Sequence, residues 1–164
     1  MQQATSSAHL PPLGSHVREE AGSTLQATLV ELVDLALVGK QLHWTVVGPH
    51  FRSLHLWLDE LVGSWRELSD TVAERAVALG YWPNGQAAAL AGPDAAAGIA
   101  QGPIGDQAVL RELARRLGET VERIRTRMDR LGELDPVSQD VLVEVLRALE
   151  EQLWMTRAEL EQPA

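Results

Sequence analysis

The chain has 164 residues, 45% of them hydrophobic and 23% charged, which suits one soluble domain with a single core and gives no sign of a second. There are 23 acidic against 14 basic residues, a formal net charge of −9, and Lys40 is the only lysine; that balance argues against a general nucleic-acid binder, which draws on dense Lys/Arg surfaces. Cysteine is absent, which excludes disulfides and thiolate metal sites together, so any metal must be held by His, Asp and Glu.

Residues 1–22 are rich in Gln, Ser, Pro and Gly and lack sustained periodicity, so they are expected to form a mobile tail ahead of one helical domain over 23–162. They hold no basic segment followed by an apolar one, and no apolar run approaches the ~18 residues of a membrane span, so a cytoplasmic location is expected. From Ser23, Leu25, Leu29, Leu32, Ala36 and His43 recur at helical spacing, giving a first helix that ends near Gly48-Pro49. A second helix carries Leu54, Leu58, Leu61, Trp65, Leu68, Val72, Ala76 and Leu79 as its stripe and stops at Gly80. Residues 81–107, loaded with Gly, Pro and Ala, read as a long crossover connection with room for a short helix. A third helix shows Leu110, Leu113, Leu117, Val121, Ile124, Met128 and Leu131. The fourth starts at Asp135-Pro136, an N-cap and first-turn proline, and shows Val141, Val145, Leu149 and Leu153. No strand pattern or internal repeat is present. The expected fold is an all-α, ferritin-like four-helix bundle.

On the second helix, His55 with Asp59 and Asp70 with Glu74 each stand four apart, on one face. Either pair alone is more often a solvated surface pair than a site. Together the four positions span a ~100° arc roughly 150° away from the core stripe, and the same arc contains Leu56, Val62, Gly63, Ala73 and Val77. That is too apolar for a face meant only for water, so a partner surface is implied. The pairs are separated by ~22 Å along the helix and cannot grip one metal pair within a single copy. However, His55 and Glu74 share their midpoint with Asp59 and Asp70, beside Ser64. An antiparallel, two-fold-related copy of this helix would therefore set His55/Asp59 of one subunit against Asp70/Glu74 of the other, with Gly63 allowing close approach. His43 and His55 are equidistant from Pro49 and would meet side by side in a hairpin. Two imidazoles and three carboxylates suit iron, and also zinc or manganese, better than calcium or magnesium.

The run Lys40-Gln41-Leu42-His43-Trp44, with Gly48-Pro49, Leu54-His55, Asp59-Glu60, Asp70, Ala73-Glu74-Arg75 and Ala78-Leu79-Gly80, resembles the signature of the Dps miniferritins, and Gln139-Asp140-Val141-Leu142 through Leu153-Trp154 resembles their last helix. The resemblance implies a homo-oligomer, a hollow dodecamer with ferroxidase centres at its two-fold interfaces: His43, His55 and Asp59 from one subunit, Asp70 and Glu74 from its mate. It implies that Fe(II) is oxidised there, preferentially by hydrogen peroxide, and stored as ferric mineral. Trp44 corresponds to a tryptophan beside the family's metal site, serving electron transfer or interface packing, while Trp154 is expected to pack. Asp140 matches the acid lining the family's three-fold pores, and Asp135 and Glu133 extend that funnel. The basic terminal extension on which DNA binding usually rests is missing, so DNA binding is expected to be weak or absent. The rival reading is a nucleoid-binding or architectural shell without ferroxidase turnover. A further metal site from His9, His16 and His50 is a weaker expectation.

Overall fold

The computed structural model describes residues 10–91 and 98–161. Helix α1 spans Ser15–Thr45 and ends where Val46 turns extended. It begins at Ser15 rather than at the expected Ser23. Its first turns are held by Ala21 and Gly22, both buried, and a side chain at position 22 would strike the Tyr81 ring. Small residues that seat an aromatic do not register as an apolar stripe, so the expected tail loses its second half to this helix.

Helix α2 spans Phe51–Ala78, α3 Ala87–Leu90, α4 Asp106–Leu134 and α5 Pro136–Leu160. The short α3 lies in the long connection, as the composition suggests. Helices α1 and α2 form one hairpin and α4 and α5 the other; α1 packs on α4, and α2 on α5. The crossover between α2 and α4 returns the chain to the end of the bundle where α2 began. There a two-residue parallel bridge joins β1 (Val46–Val47) to β2 (Ile104–Gly105), too short to leave a sequence pattern. Beside it, the Asp106 carboxylate accepts the His50 and Gln107 N–H groups at 3.0 and 2.8 Å. Gly48, at φ +132°, takes a backbone conformation that side chains rarely adopt. The α1–α2 turn is thereby pinned to the start of α4.

All eight stripe positions of α2 are buried. The α5 stripe is rotated from expectation: Leu142, Val145, Leu149, Gln152 and Thr156 face inward, whereas Val141 and Leu153 are only partly covered. The reason is polar. The Trp65 indole N–H donates to Gln152 Oε1 at 2.8 Å, so a glutamine completes the core where an apolar residue is expected. Helix α1 is, by length and composition, apolar enough to cross a membrane, contrary to the sequence expectation. Its apolar residues divide between the bundle core and an outward stripe that includes Leu37 and Trp44.

Arginines of α4 are bound to carboxylates along its length. Arg123 and Arg127 reach Glu31, Arg130 reaches Glu20, Arg125 reaches Glu150, Arg115 binds Glu112 and Glu119, and Arg116 binds Glu112 and Asp34. Burial pushes the Asp34 carboxyl above its ordinary range, against the opposing pull of Arg116.

Candidate metal centre

The α1–α2 hairpin brings His43 and His55 together. Their rings stack at 3.7 Å between centroids, 20° from parallel. Each Nδ1 meets the other residue's backbone oxygen: His43 Nδ1 lies 2.7 Å from the His55 carbonyl, and His55 Nδ1 lies 2.9 Å from the His43 carbonyl. A carbonyl oxygen can only accept, so each Nδ1 carries the proton, and in the neutral ring Nε2 keeps its lone pair. No hydrogen bond among the described residues uses either Nε2. Imidazoles that ligate metals are held this way, with the second nitrogen donating to a carbonyl or carboxylate that fixes the tautomer and raises basicity. His43 is 8% exposed, so its orientation is set by packing as well as by hydrogen bonding.

Asp59, one turn after His55 on α2, holds an ion pair with Lys40 of α1 at 2.7 Å. The Lys40 hydrogen bond is the main reason its carboxyl sits below the ordinary range, and the nearby His43 and His55 add to the effect. The spacing argument did not anticipate Lys40. The signal was present, because Lys40 stands three residues before His43 and four before Trp44, on the same side of α1. Lys40 Nζ also lies 5.8 Å from the centre of the Trp44 ring, and Trp44 is 69% exposed.

Asp70 and Glu74 lie on α2 beyond its midpoint, exposed and without a hydrogen bond or ion pair among the described residues. Within one chain they do not join the histidines, and no three His, Asp or Glu side chains of the described residues converge to hold a metal. The residues read from the sequence as one centre thus lie in two separate groups along α2 and the α1–α2 hairpin. Around them lie Leu56 and Val77, both exposed, with Leu37 and Trp44 of α1. Val62, expected on this face, is instead buried against Gly39. Gly63 is exposed in mid-helix, and a Cβ there would meet nothing within 4 Å. Glycine costs roughly 0.5–1 kcal/mol against alanine inside a helix, and nothing in the chain itself requires it at this position.

Asp135, expected at a pore, is 3% exposed. It binds Arg75 at 2.7 Å and accepts the Ser138 hydroxyl, so its carboxylate is committed inside the subunit and gives α4–α5 no side-chain cap. Burial would raise its pKa, but the Ser138 and Arg75 bonds outweigh that and hold it below the ordinary range. Glu133 and Asp140 remain exposed. Trp154 does not pack within the chain; it is exposed on a groove with Trp57 and Met155. His16, paired with Glu20, and His50 stand at opposite ends of α1, roughly 45 Å apart at the helical rise, so they form no site in one chain. His9 lies outside the described residues.

Comparison with known proteins agrees with this fold. The ferritin-like domain family matches residues 23–163. The chain is 34% identical to a DNA protection during starvation protein of Mycolicibacterium smegmatis, over 93% of this chain and 83% of that protein. It is 36% identical to the fine tangled pili major subunit of Haemophilus ducreyi, over 84% of this chain and 72% of that one. Among solved structures, Mycobacterium smegmatis Dps superposes with a TM-score of 0.90 at 33% identity, covering 96% of both chains. DpsA14 from Streptomyces coelicolor gives 0.89 at 34%, covering 96% and 94%. With its helix order, crossed histidines and divided carboxylates, the chain belongs to the ferritin-like domain family as a Dps miniferritin, a family of iron storage and protection.

Proposed function

We propose that the protein is a ferroxidase that oxidises Fe(II), with hydrogen peroxide as the preferred oxidant, and stores the ferric product as mineral within a hollow cytoplasmic dodecamer. Two Fe(II), one hydrogen peroxide and two protons give two Fe(III) and two waters. Each iron supplies one electron, so peroxide is reduced fully and no hydroxyl radical is released.

The observation that carries this reading is the reciprocal hydrogen bonding of His43 and His55, which leaves two oriented Nε2 lone pairs side by side. Asp59 lies near them, and Asp70 and Glu74 of a two-fold mate would complete the donor set. The mixed nitrogen and oxygen donors suit Fe(II), and zinc or manganese would fit the same positions. Within the subunit, the histidines bind and orient, and the carboxylates balance the charge of the incoming ions. The apolar residues around them exclude water once two α2 helices meet. Exposed Asp140 and Glu133 would draw cations toward the interior. Because six of the seven α4 arginines, all but Arg111, are engaged by acids, little free basic charge on this helix offsets the net charge of −9, and DNA compaction near neutral pH should be slight.

The test is anaerobic Fe(II) loading, then substoichiometric hydrogen peroxide, followed by ultraviolet absorbance in wild type and a His43→Ala/Asp70→Ala variant. Rapid ferric absorbance with soluble product, lost in the variant, supports the shared centre. Equal rates in both would leave a shell without turnover.

A further inference from the structure

Trp82 is 71% exposed, the most open of the large apolar side chains described. It does not stand on a loose loop. Gly80, at φ +81°, ends α2 with its N–H on the Val77 carbonyl and the Tyr81 N–H on the Ala76 carbonyl, a Schellman closure. The Tyr81 ring then lies against Gly22 of α1, where no side chain would fit. On the other flank, the Gln26 amide holds Asn84 in both directions, donating to its carbonyl at 2.8 Å and accepting its N–H at 2.7 Å. Pro83 stiffens the span between these anchors. An indole pinned on both flanks has little freedom left to lose on binding, and burying one removes about 150–250 Å² of surface.

The pairing that sets His55/Asp59 against Asp70/Glu74 also says what this indole meets. Trp82 and Val47 share the midpoint of His55 and Glu74, and so do Ala78 and Phe51. Val47 and Trp82 each lie four residues beyond an end of α2, so the helix register carries to them within about a turn. Val47 and Phe51 are exposed, and the Phe51 ring stands 5.1 Å from the His55 ring, tilted by 34°. An open apolar pair at one end of α2 therefore faces, across the two-fold, an open and pre-set tryptophan at the other end. The spacing of the ligands alone did not require this match.

We infer that Trp82 of each subunit packs on Val47 and Phe51 of its two-fold mate, a lock repeated at both ends of the α2 pair. This rests on the shared centre proposed above. The indole covers the open side of Phe51, which backs the His55 ring, so that flank of the centre is closed to water only in the assembled dimer. Trp82 is a positioning residue, acting through Phe51 and touching neither iron nor oxidant.

The experiment uses the full-length assembly with p-benzoylphenylalanine in place of Trp82. That side chain stays aromatic and attaches on illumination to whatever it touches, and mass spectrometry of the digest locates the attachment. It should give covalent dimers and no longer species, joined within residues 46–52 of the mate, because a two-fold contact closes on itself. The α2 register is read separately. Cysteine is otherwise absent, so Arg52→Cys/Val77→Cys with a short bis-maleimide reports two residues that share the same midpoint and lie roughly 38 Å apart within one helix, beyond the reach of the linker. Trp82→Ala should keep its helicity and raise the protein concentration needed for assembly about tenfold or more, with Trp82→Phe losing less. Attachment elsewhere, or unchanged assembly of Trp82→Ala, while the Arg52–Val77 link forms, overturns the lock and leaves the centre standing. Failure of the Arg52–Val77 link removes the α2 pairing itself, and the shared centre and the lock fall together.

Discussion

His43 and His55 each bind the other's backbone carbonyl through Nδ1, so the two rings lock one another in place. The link ties the last turn of α1 to the first turn of α2 and fixes both tautomers at once. Replacing His55 with alanine removes one proposed ligand together with the ring stacked on His43, while the backbone carbonyl of residue 55 that accepts from His43 Nδ1 stays in place. The expected result is a loss of Zn(II) or Fe(II) affinity of roughly a hundredfold or more, larger than disturbing an outer partner alone would cause. Helical content by circular dichroism should stay near wild type. Titration with Zn(II) measures the loss; retained affinity would show that the histidine pair is only a structural clasp.

Two glycines near this clasp should respond in opposite ways. At Gly39 an added Cβ would lie 2.6 Å from the Trp65 ring and 2.7 Å from Val62, so Gly39→Ala should destabilise the subunit by about 1–3 kcal/mol and spread α1 from α2. At Gly63 the same Cβ meets open space in the subunit. A bulky Gly63→Trp replacement should therefore leave helicity intact while reducing the assembled fraction. Light scattering after size-exclusion chromatography distinguishes the two, and full assembly of Gly63→Trp would rule out close pairing of two α2 helices about Ser64.

The parts of this fold legible in the sequence are those governed by one strong periodicity. The α2 stripe, from Leu54 to Leu79, is buried at every expected position because large apolar side chains at helical spacing leave a single way to pack. The approach of His43 to His55 is legible for a similar reason, since a hairpin about Gly48-Pro49 fixes which residues meet. What escapes is set by partners distant in sequence. Gly22 begins a helix because Tyr81 lies against it, Gln152 enters the core because Trp65 needs an acceptor, and Asp135 turns inward because Arg75 is there. The hydrogen-bonded tautomers and the Lys40–Asp59 pair likewise depend on the relative rotation of α1 and α2, which composition and spacing do not specify.

Asp135 links the pH dependence of stability to the α2–α5 contact. Its folded pKa is held below the unfolded value, so its ionisation contributes stability above the unfolded carboxylate range near ~4, and that contribution is lost as pH falls through the folded value. Asp135→Ala leaves the partly buried Arg75, still bonded to Ser138, without its carboxylate and should cost about 1–3 kcal/mol at neutral pH. Thermal midpoints of wild type and variant measured from pH 7 downward should converge in acid. A gap that stays constant across that range would mean the side chain stabilises by packing rather than by charge.

The buried polar link between Trp65 and Gln152 gives a test that separates a hydrogen bond from its surroundings. Gln152→Leu removes the acceptor of a fully buried indole N–H, and an unsatisfied donor of that kind costs about 1–3 kcal/mol. Trp65→Phe removes the donor, leaves the glutamine oxygen unpaired and opens space in the core. Combining the two changes removes both orphaned groups, so the double variant should be more stable than the sum of the single losses implies, with a coupling of about 0.5–3 kcal/mol. Gln152 Nε2 also donates to Ser64 Oγ at 3.2 Å, beside the expected centre of the α2 pairing. Gln152→Leu should consequently weaken assembly as well as the subunit, whereas a change of core volume alone would affect only subunit stability. Denaturation midpoints read alongside the assembled fraction of the same four proteins decide between these outcomes, and strict additivity in both would show that the glutamine is in the core for its shape and not for its oxygen.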